Sequence, residues 1–143
     1  MELHSIQGGW LGTYCYLPSE QMEPVRFEAH FDSIEIGNFR GTVIDDGPLG
    51  EASVVGRQNG DQIAFMKTYI RSHPDYLTAP IEYAGTMSED GKYLSGTWAL
   101  RWREFGLIPR LRNGSWEARR MWMEEAEELE QAESEAVRVP ILR

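Results

Sequence analysis

The sequence has little of what disulfide-bonded or membrane-spanning proteins require. Its single cysteine, Cys15, has no second cysteine with which to form an internal disulfide, which favours a reducing compartment and predicts a cytoplasmic protein. No apolar run approaches the roughly 18 residues that cross a bilayer, and the first residues lack the basic and apolar regions of a signal peptide. We therefore expect no membrane partner.

Clustered basic residues are also lacking. The net charge is -9, and residues 122–136 contribute seven Glu without any Lys or Arg, whereas residues 1–121 contain 16 acidic and 12 basic residues. Most of the excess acidity is therefore local. Nucleic-acid binding depends on clustered Lys and Arg that displace phosphate counterions. The nearest approach to such a cluster is four arginines within residues 101–112, interrupted by a glutamate, so no nucleic-acid partner is expected.

Signatures of catalysis and of metal binding are equally scarce. The three histidines stand in separate segments without ligand spacing, and no Ser or Cys nucleophile motif is present. Asp45, Asp46 and Glu51 flank an Asp-Asp-Gly-Pro segment, where turn formation is favoured over cation binding. The sequence predicts no cofactor and no metal. It leaves enzymatic activity uncertain and favours a non-enzymatic protein.

Glycine, aromatic residues and strict alternation of apolar with polar positions are abundant instead. The opening segment, residues 8–16, places Trp10, Gly12, Tyr14 and Tyr16 on one face, as a β-strand does. The Asn59-Gly60 pair favours a type I′ hairpin turn. Seven further strands are predicted over residues 25–31, 34–44, 51–56, 62–69, 80–87, 94–102 and 115–121.

Eight consecutive strands without intervening helices must protect their exposed edges, and closure into a barrel removes the edges altogether. We predict an all-β fold over residues 1–121, an antiparallel up-and-down β-barrel of about eight strands. A two-sheet sandwich is the alternative, but its crossovers need longer connections than most of those present. A barrel of this size either fills its interior with side chains or holds one small ligand.

The alternation stops at Trp122. Trp122, Ala126, Leu129 and Ala136 recur at helical spacing among good helix formers, which predicts an amphipathic C-terminal α-helix. Residues 122–143 are therefore interpreted as a separate acidic helix and tail. Two roles stay open for this segment, capping of the barrel and binding of a partner.

The Gly8-Gly9-Trp10 segment resembles the Gly-x-Trp signature of the calycin superfamily, which includes lipocalins, avidins and fatty-acid-binding proteins. In that superfamily the first-strand Trp packs against an Arg or Lys of the last strand, so the resemblance implies that Arg119 or Arg120 contacts Trp10. The polar biotin contacts of the avidins are not matched by the first hairpin here. The later strands also resemble those of avidin-like barrels in the order of their motifs, which are Tyr83-x-Gly85, the segment Gly96-Thr97-Trp98-Ala99-Leu100, and Trp116.

If Trp10 faces the barrel interior, several tyrosines and tryptophans face it too, together with two cations. Lys67 and Arg120 would meet an anionic group of a ligand, and tyrosine hydroxyls would orient it. In the alternative interpretation the aromatic rings fill the barrel, Lys67 reaches solvent at the rim and Arg120 stacks on Trp10. The candidate ligand-binding residues are Tyr14, Tyr16, Lys67, Tyr69, Tyr83, Trp98 and Arg120.

Two functions of different classes follow. The first is binding of a small amphipathic or anionic ligand inside a calycin-like barrel. The alternative is a non-enzymatic interaction module with a filled barrel, whose acidic C-terminal helix or barrel face binds another protein or a second copy of the chain as a homo-oligomer. A cavity beside the predicted tyrosines favours the first, and a plugged barrel favours the second.

Overall fold

The computed structural model describes residues 4–18, 22–47, 49–70 and 79–121. Eight antiparallel strands form a closed barrel in which β8 pairs back onto β1, which confirms the predicted all-β architecture. No helix in this part of the chain is long and apolar enough to cross a membrane. The predicted C-terminal helix and tail, residues 122–143, lie outside the described residues. The strands are β1 (Gly8–Tyr16), β2 (Val25–Glu35), β3 (Asn38–Asp45), β4 (Glu51–Asn59), β5 (Gln62–Tyr69), β6 (Ile81–Met87), β7 (Tyr93–Glu104) and β8 (Ile108–Arg120).

Alternation along the strands decides which side chains enter the barrel. In β5, for example, Ile63, Phe65, Lys67 and Tyr69 are all buried, while the residues between them face outward. The same period places Trp10 and Tyr14 of β1 inside, as the sequence predicts. Burial of these rings and aliphatic chains drives closure, at roughly 25 cal/mol per Å² of apolar surface removed from water.

The boundary between β2 and β3 differs from the prediction of a strand over residues 34–44. That prediction is wrong, because β2 continues to Glu35 and a tight turn at Ile36 and Gly37 leads into β3. Gly37 has a φ of 82°, a left-handed conformation that glycine adopts without steric cost. Ile36, a residue typical of strands, hides this turn in the sequence pattern.

The β4–β5 hairpin is confirmed, but its turn lies one residue later than predicted. Asn59 pairs with Gln62, so the two loop residues are Gly60 and Asp61. Gly60 has a φ of 63°, and neither Asn59 nor Asp61 has a positive φ. This pattern, with glycine at the first loop position, is that of a type II′ turn rather than type I′.

The last strand is longer than predicted. β8 begins at Ile108, although a loop through Pro109 and Asn113-Gly114 was expected. Pro109 is tolerated because this stretch of β8 pairs only with β7 and leaves its other edge unpaired. Gly114 is required because a Cβ there would collide with the Cys15 carbonyl oxygen on β1 and would lie 2.7 Å from Trp98 Nε1. Residues 101–112 thereby form a projecting hairpin, which extends beyond the pairing of β7 with β6 and of β8 with β1.

One end of the barrel is filled. The Arg120 guanidinium lies 4.5 Å from the centre of the Trp10 ring, so Arg120 rather than Arg119 is the partner that the calycin resemblance implies. Arg120 also donates hydrogen bonds to the carbonyls of Ser5, Gln7 and Gly91, which ties the N-terminal segment across this end. Above this closure the interior is packed with the rings of Phe31, Phe39, Phe65 and Trp116.

Candidate ligand-binding cavity

An ion pair lies inside the barrel above the packed aromatic rings. Asp45 is the last residue of β3 and Lys67 lies in β5, and alternation directs both inward. Each side chain is 1% exposed, and Lys67 Nζ lies 2.9 Å from Asp45 Oδ1. Charges this deeply buried require close partners, since an unpaired ion in the interior costs several kcal/mol.

Three tyrosine hydroxyls complete this arrangement, which we call the Asp45 cluster: Asp45, Lys67, Tyr14, Tyr69 and Tyr83. Tyr14 donates a hydrogen bond to Asp45 Oδ2 at 2.8 Å, and Tyr69 donates to the same oxygen. Lys67 Nζ also lies 3.2 Å from Asp45 Oδ2 and donates to the Tyr83 hydroxyl at 3.4 Å. The carboxylate therefore accepts hydrogen bonds on both oxygens.

The electrostatics of the Asp45 cluster follow from its burial. Burial raises the pKa of Tyr14, Tyr69 and Tyr83 well above the ordinary value, and the negative charge of Asp45 adds to the increase. Burial lowers the pKa of Lys67, and the adjacent carboxylate opposes this decrease. The tyrosines therefore remain neutral hydrogen-bond donors at physiological pH. The charge of Lys67 is balanced by that of Asp45, so the ion pair gives the cluster no net charge.

A cavity of about 270 Å³ lies above the cluster, at the end of the barrel opposite Trp10 and Arg120. Tyr14, Tyr69 and Tyr83 form its floor. Its walls are largely apolar. Its lining residues are Tyr14, Tyr16, Met22, Leu49, Tyr69, Ile81, Tyr83, Trp98, Leu100, Trp102 and Arg112.

The aromatic wall of the cavity is held in place by ring contacts and one hydrogen bond. The Tyr16 and Trp98 rings meet edge to face with centroids 5.0 Å apart, and Tyr14 lies 6.0 Å from Trp98 in a similar orientation. Trp98 Nε1 donates to the Cys15 carbonyl at 3.1 Å. The absence of a side chain at Gly114 lets the indole lie close to β8, since a Cβ there would be 2.7 Å from Trp98 Nε1.

Arg112 gives the mouth of the cavity a positive charge. Its guanidinium lies 5.7 Å from the centre of the Tyr16 ring, and Nη1 lies 3.8 Å from the sulfur of Met22. No ion pair among the described residues involves Arg112, whereas Arg110 of the same strand lies 2.6 Å from Glu104. The cavity thus has a neutral, hydroxyl-bearing floor and a cationic mouth.

A larger concavity of about 320 Å³ lies against the outer surface of β1, β7 and β8. Exposed residues such as Arg26, Tyr93 and Glu117 form much of its lining. The Asp45 cluster does not reach it. The interior cavity is therefore the better candidate site, because among the described residues only there do buried polar groups converge on an apolar space.

The structure brings five of the predicted site residues to the cavity, namely Tyr14, Tyr16, Tyr69, Tyr83 and Trp98. Lys67 lies beneath the floor and does not reach solvent at the rim, because Asp45 holds it inside. Arg120 lies at the opposite end on Trp10. The expectation that Lys67 and Arg120 meet one anionic group is therefore wrong.

Two charged residues of this region were missed by sequence reasoning. Asp45 continues the inward alternation of Phe39, Gly41 and Val43, but the following Asp-Gly-Pro residues favoured its assignment to a turn. Arg112 fell within a predicted loop, and the extension of β8 instead directs it to the mouth. Among the described residues no group of three or more His, Cys, Asp or Glu side chains is arranged to hold a metal ion.

No protein-family model matches the chain, and no curated protein matches it. A solved structure, that of EF1p2_mFAP2b bound to DFHBI, is similar to it with a TM-score of 0.58 and 12% sequence identity. The similarity covers 81% of this chain and 94% of that chain. At this identity the likeness shows the fold alone. It agrees with the eight-stranded antiparallel barrel described above.

Proposed function

We propose that the protein binds one small amphipathic molecule in the cavity at the open end of the barrel, and that the barrel is calycin-like. The observation that carries this proposal is the division of the interior. One half is filled by packed rings, whereas the other contains about 270 Å³ of space between apolar walls and tyrosine hydroxyls. An apolar cavity with a few convergent polar groups is the usual composition of a ligand site.

The fold similarity supports this proposal. EF1p2_mFAP2b holds DFHBI, so a barrel of this architecture accommodates a small dye. The volume of the cavity limits the size of the ligand. At about 270 Å³ it lies just below the range of about 300–1,000 Å³ that is typical of ligand pockets. We therefore infer a compact ligand rather than a long acyl chain. The single cysteine supports a cytoplasmic location for this binding protein.

A blocked cavity provides the test. Leu49 lies at the cavity, so Leu49→Trp should occupy ligand space with little disturbance of the strands. Val55→Trp is the matched control, because Val55 faces outward on β4 and is 60% exposed. Cinnamate, a small aromatic acid, is titrated into each protein by calorimetry. We expect saturable binding to wild type and Val55→Trp and at least a tenfold loss for Leu49→Trp; equal affinities, or no binding to wild type, would contradict the proposal.

A second candidate function, that of an interaction module, is favoured by a separate observation. The projecting hairpin exposes Phe105 (81%) and Leu107 (76%) beyond the body of the barrel. Exposed apolar side chains concentrated on a projecting element are typical of interaction sites. The hairpin also carries four arginines and one glutamate over residues 101–112.

We propose a second copy of the chain as the partner of this hairpin. Residues 122–136 carry seven glutamates and no basic residue, which complements the net positive charge of the hairpin. Analytical ultracentrifugation of the full chain should show a dimer that dissociates when Phe105→Asn and Leu107→Asn are combined, and that weakens as the salt concentration rises. A monomer at all concentrations, or a dimer unchanged by the double substitution, would exclude this candidate.

A further inference from the structure

We infer the chemical class of the ligand, an inference that rests on the proposed function. The geometry points to a flat, apolar molecule with a neutral hydrogen-bond acceptor at its inner end and an anionic group at its outer end. A conjugated keto acid is an example. Three features of the cavity specify the parts of the ligand independently. They are the hydroxyl proton of Tyr83 at the floor, the Asp45 carboxylate beneath the floor and the positive charge of Arg112 at the mouth.

One hydroxyl group at the floor of the cavity can donate a hydrogen bond to a ligand. Tyr14 and Tyr69 donate their protons to Asp45 Oδ2, and Lys67 directs its donors at the two Asp45 oxygens and the Tyr83 hydroxyl. Tyr83 is therefore an acceptor in the cluster, and no acceptor for its own proton lies within hydrogen-bond distance among the described residues. Tyr83 is 3% exposed and lines the cavity. A buried donor in this position is satisfied by an acceptor on a ligand in the cavity.

The acceptor at the inner end is neutral rather than charged. An anion that reaches Tyr83 would approach the Asp45 carboxylate beneath the floor, and Lys67 cannot neutralise both because it is already paired. The cluster has no net positive charge that could neutralise an anion. Transfer of an unpaired ion from water to a buried site is strongly unfavourable. A carbonyl oxygen accepts the Tyr83 proton without this cost.

The anionic group of the ligand belongs at the mouth. Arg112 lines the cavity near its opening, and no carboxylate lies within ion-pair distance of it among the described residues. Its neighbours among the described residues are the Tyr16 ring and the Met22 sulfur, neither of which carries a negative charge. A planar guanidinium binds a carboxylate with two parallel hydrogen bonds. Rings of Tyr16, Trp98 and Trp102 line the space between, which favours a flat body.

Three matched probes test these assignments. Para-acetylcinnamate has both polar ends, para-isopropylcinnamate replaces the acetyl group with one of similar size that accepts no hydrogen bond, and para-acetylcinnamamide removes the outer charge. Calorimetric titration of wild type should show that each deletion weakens binding roughly fivefold to tenfold. Higher salt concentration should weaken the two carboxylates but not the amide.

Two single substitutions should each remove one of the two ligand preferences of the protein, that for the inner carbonyl or that for the outer carboxylate. Tyr83→Phe should abolish the preference for acetyl over isopropyl and leave the charge preference intact. Arg112→Gln should abolish the preference for carboxylate over amide, whereas Arg110→Gln, on the same strand, should change neither. Binding of all three probes with one affinity, together with its loss in Leu49→Trp, would overturn the ligand class and retain the cavity as a binding site. If no probe binds wild type, or if Leu49→Trp binds as wild type does, the proposed function itself fails.

Discussion

Asp45 is the residue on which the polar interior of the barrel depends. It compensates the charge of Lys67 and accepts hydrogen bonds from two tyrosines, so its loss affects three other side chains at once. Replacing such a group with apolar residues is often neutral, but removal of one partner leaves the other buried and uncompensated. The Asp45 cluster therefore places the tyrosine hydroxyls at the floor, and its own stability depends on complete pairing.

Asp45→Asn should destabilise the protein by about 3–5 kcal/mol, because Lys67 is left without a countercharge. The double variant Asp45→Asn with Lys67→Met should be more stable than the single variant, since the asparagine oxygen still accepts from the tyrosines and no buried ammonium remains. Urea unfolding at neutral pH measures both free energies. A double variant less stable than Asp45→Asn would show that the ion pair is not the source of the penalty.

The buried tyrosines predict a loss of stability in alkali. Unfolded tyrosines ionise near their ordinary pKa of 10.0, whereas Tyr14, Tyr69 and Tyr83 remain protonated in the folded barrel because their pKa values are raised. The unfolded state therefore binds fewer protons above this pH, and the free energy of unfolding falls as pH rises, by up to about 1.4 kcal/mol per pH unit for each tyrosine. The lowered pKa of Lys67 has the opposite sign, but only below its ordinary value of 10.5.

The slope of this decrease is the quantity to measure. Urea unfolding between about pH 9 and pH 11.5 should give a shallower slope for Tyr83→Phe than for wild type. Tyr93→Phe serves as the control, because Tyr93 is 58% exposed. Equal slopes for wild type and Tyr83→Phe would mean that Tyr83 does not retain its proton in the folded state.

Tyrosine and tryptophan positions in the cavity were accessible from sequence because alternation alone assigns them to the inward face. Asp45 and Lys67 were not accessible as a pair, since they are 22 residues apart and meet only when β3 and β5 close around the interior. Arg112 was missed for a different reason. Its strand contains Pro109 and Gly114, which favoured a loop in the sequence pattern. The strand accommodates Pro109 because its other edge is unpaired there, and it accommodates Gly114 because neighbouring atoms, including Trp98 Nε1, leave no room for a side chain.

Among the elements, the projecting hairpin departs furthest from a minimal barrel. β7 and β8 continue to pair from Arg101 with Leu111 to Glu104 with Ile108, after their other neighbours have ended. The turn places Phe105 at a φ of 55°, a left-handed conformation that is unfavourable for a bulky residue. Backbone strain at an exposed aromatic residue is a reason to examine its function.

Phe105→Asn should therefore raise stability by about 0.5–1 kcal/mol, because asparagine tolerates the left-handed region and little buried surface is lost. Thermal unfolding of dilute protein measures the change without a contribution from association. A decrease in stability would show that Phe105 makes contacts within the chain that outweigh the backbone cost.

The strands show why local sequence patterns predict the presence of an element better than the residues at which it begins and ends. All eight were identified, since each has the period-two alternation of a half-buried strand. The turn at Ile36 and Gly37 was missed because one glycine is its main signal. The bounds of β8 depended on contacts with other strands, which the local pattern does not contain.

At the scale of the whole molecule, the barrel divides along its axis into a filled half and an open half. Arg120 and Trp10 close one end over packed phenylalanines, and the Asp45 cluster separates this core from the cavity. The sequence predicted closure of the barrel but left filling and ligand binding as alternatives. The interior contains both packed rings and an open cavity, because the rings of Phe31, Phe39, Phe65 and Trp116 lie toward the Trp10 end and the cavity lies at the opposite end.

Native mass spectrometry of the protein purified gently from its own cells tests the central claim most directly. Wild type and Val55→Trp should retain a small molecule whose extra mass disappears on denaturation, and Leu49→Trp, with its cavity occupied, should show the bare chain. Identical spectra for the three proteins would contradict binding in the cavity. An extra mass retained equally by Leu49→Trp would place any ligand elsewhere on the molecule.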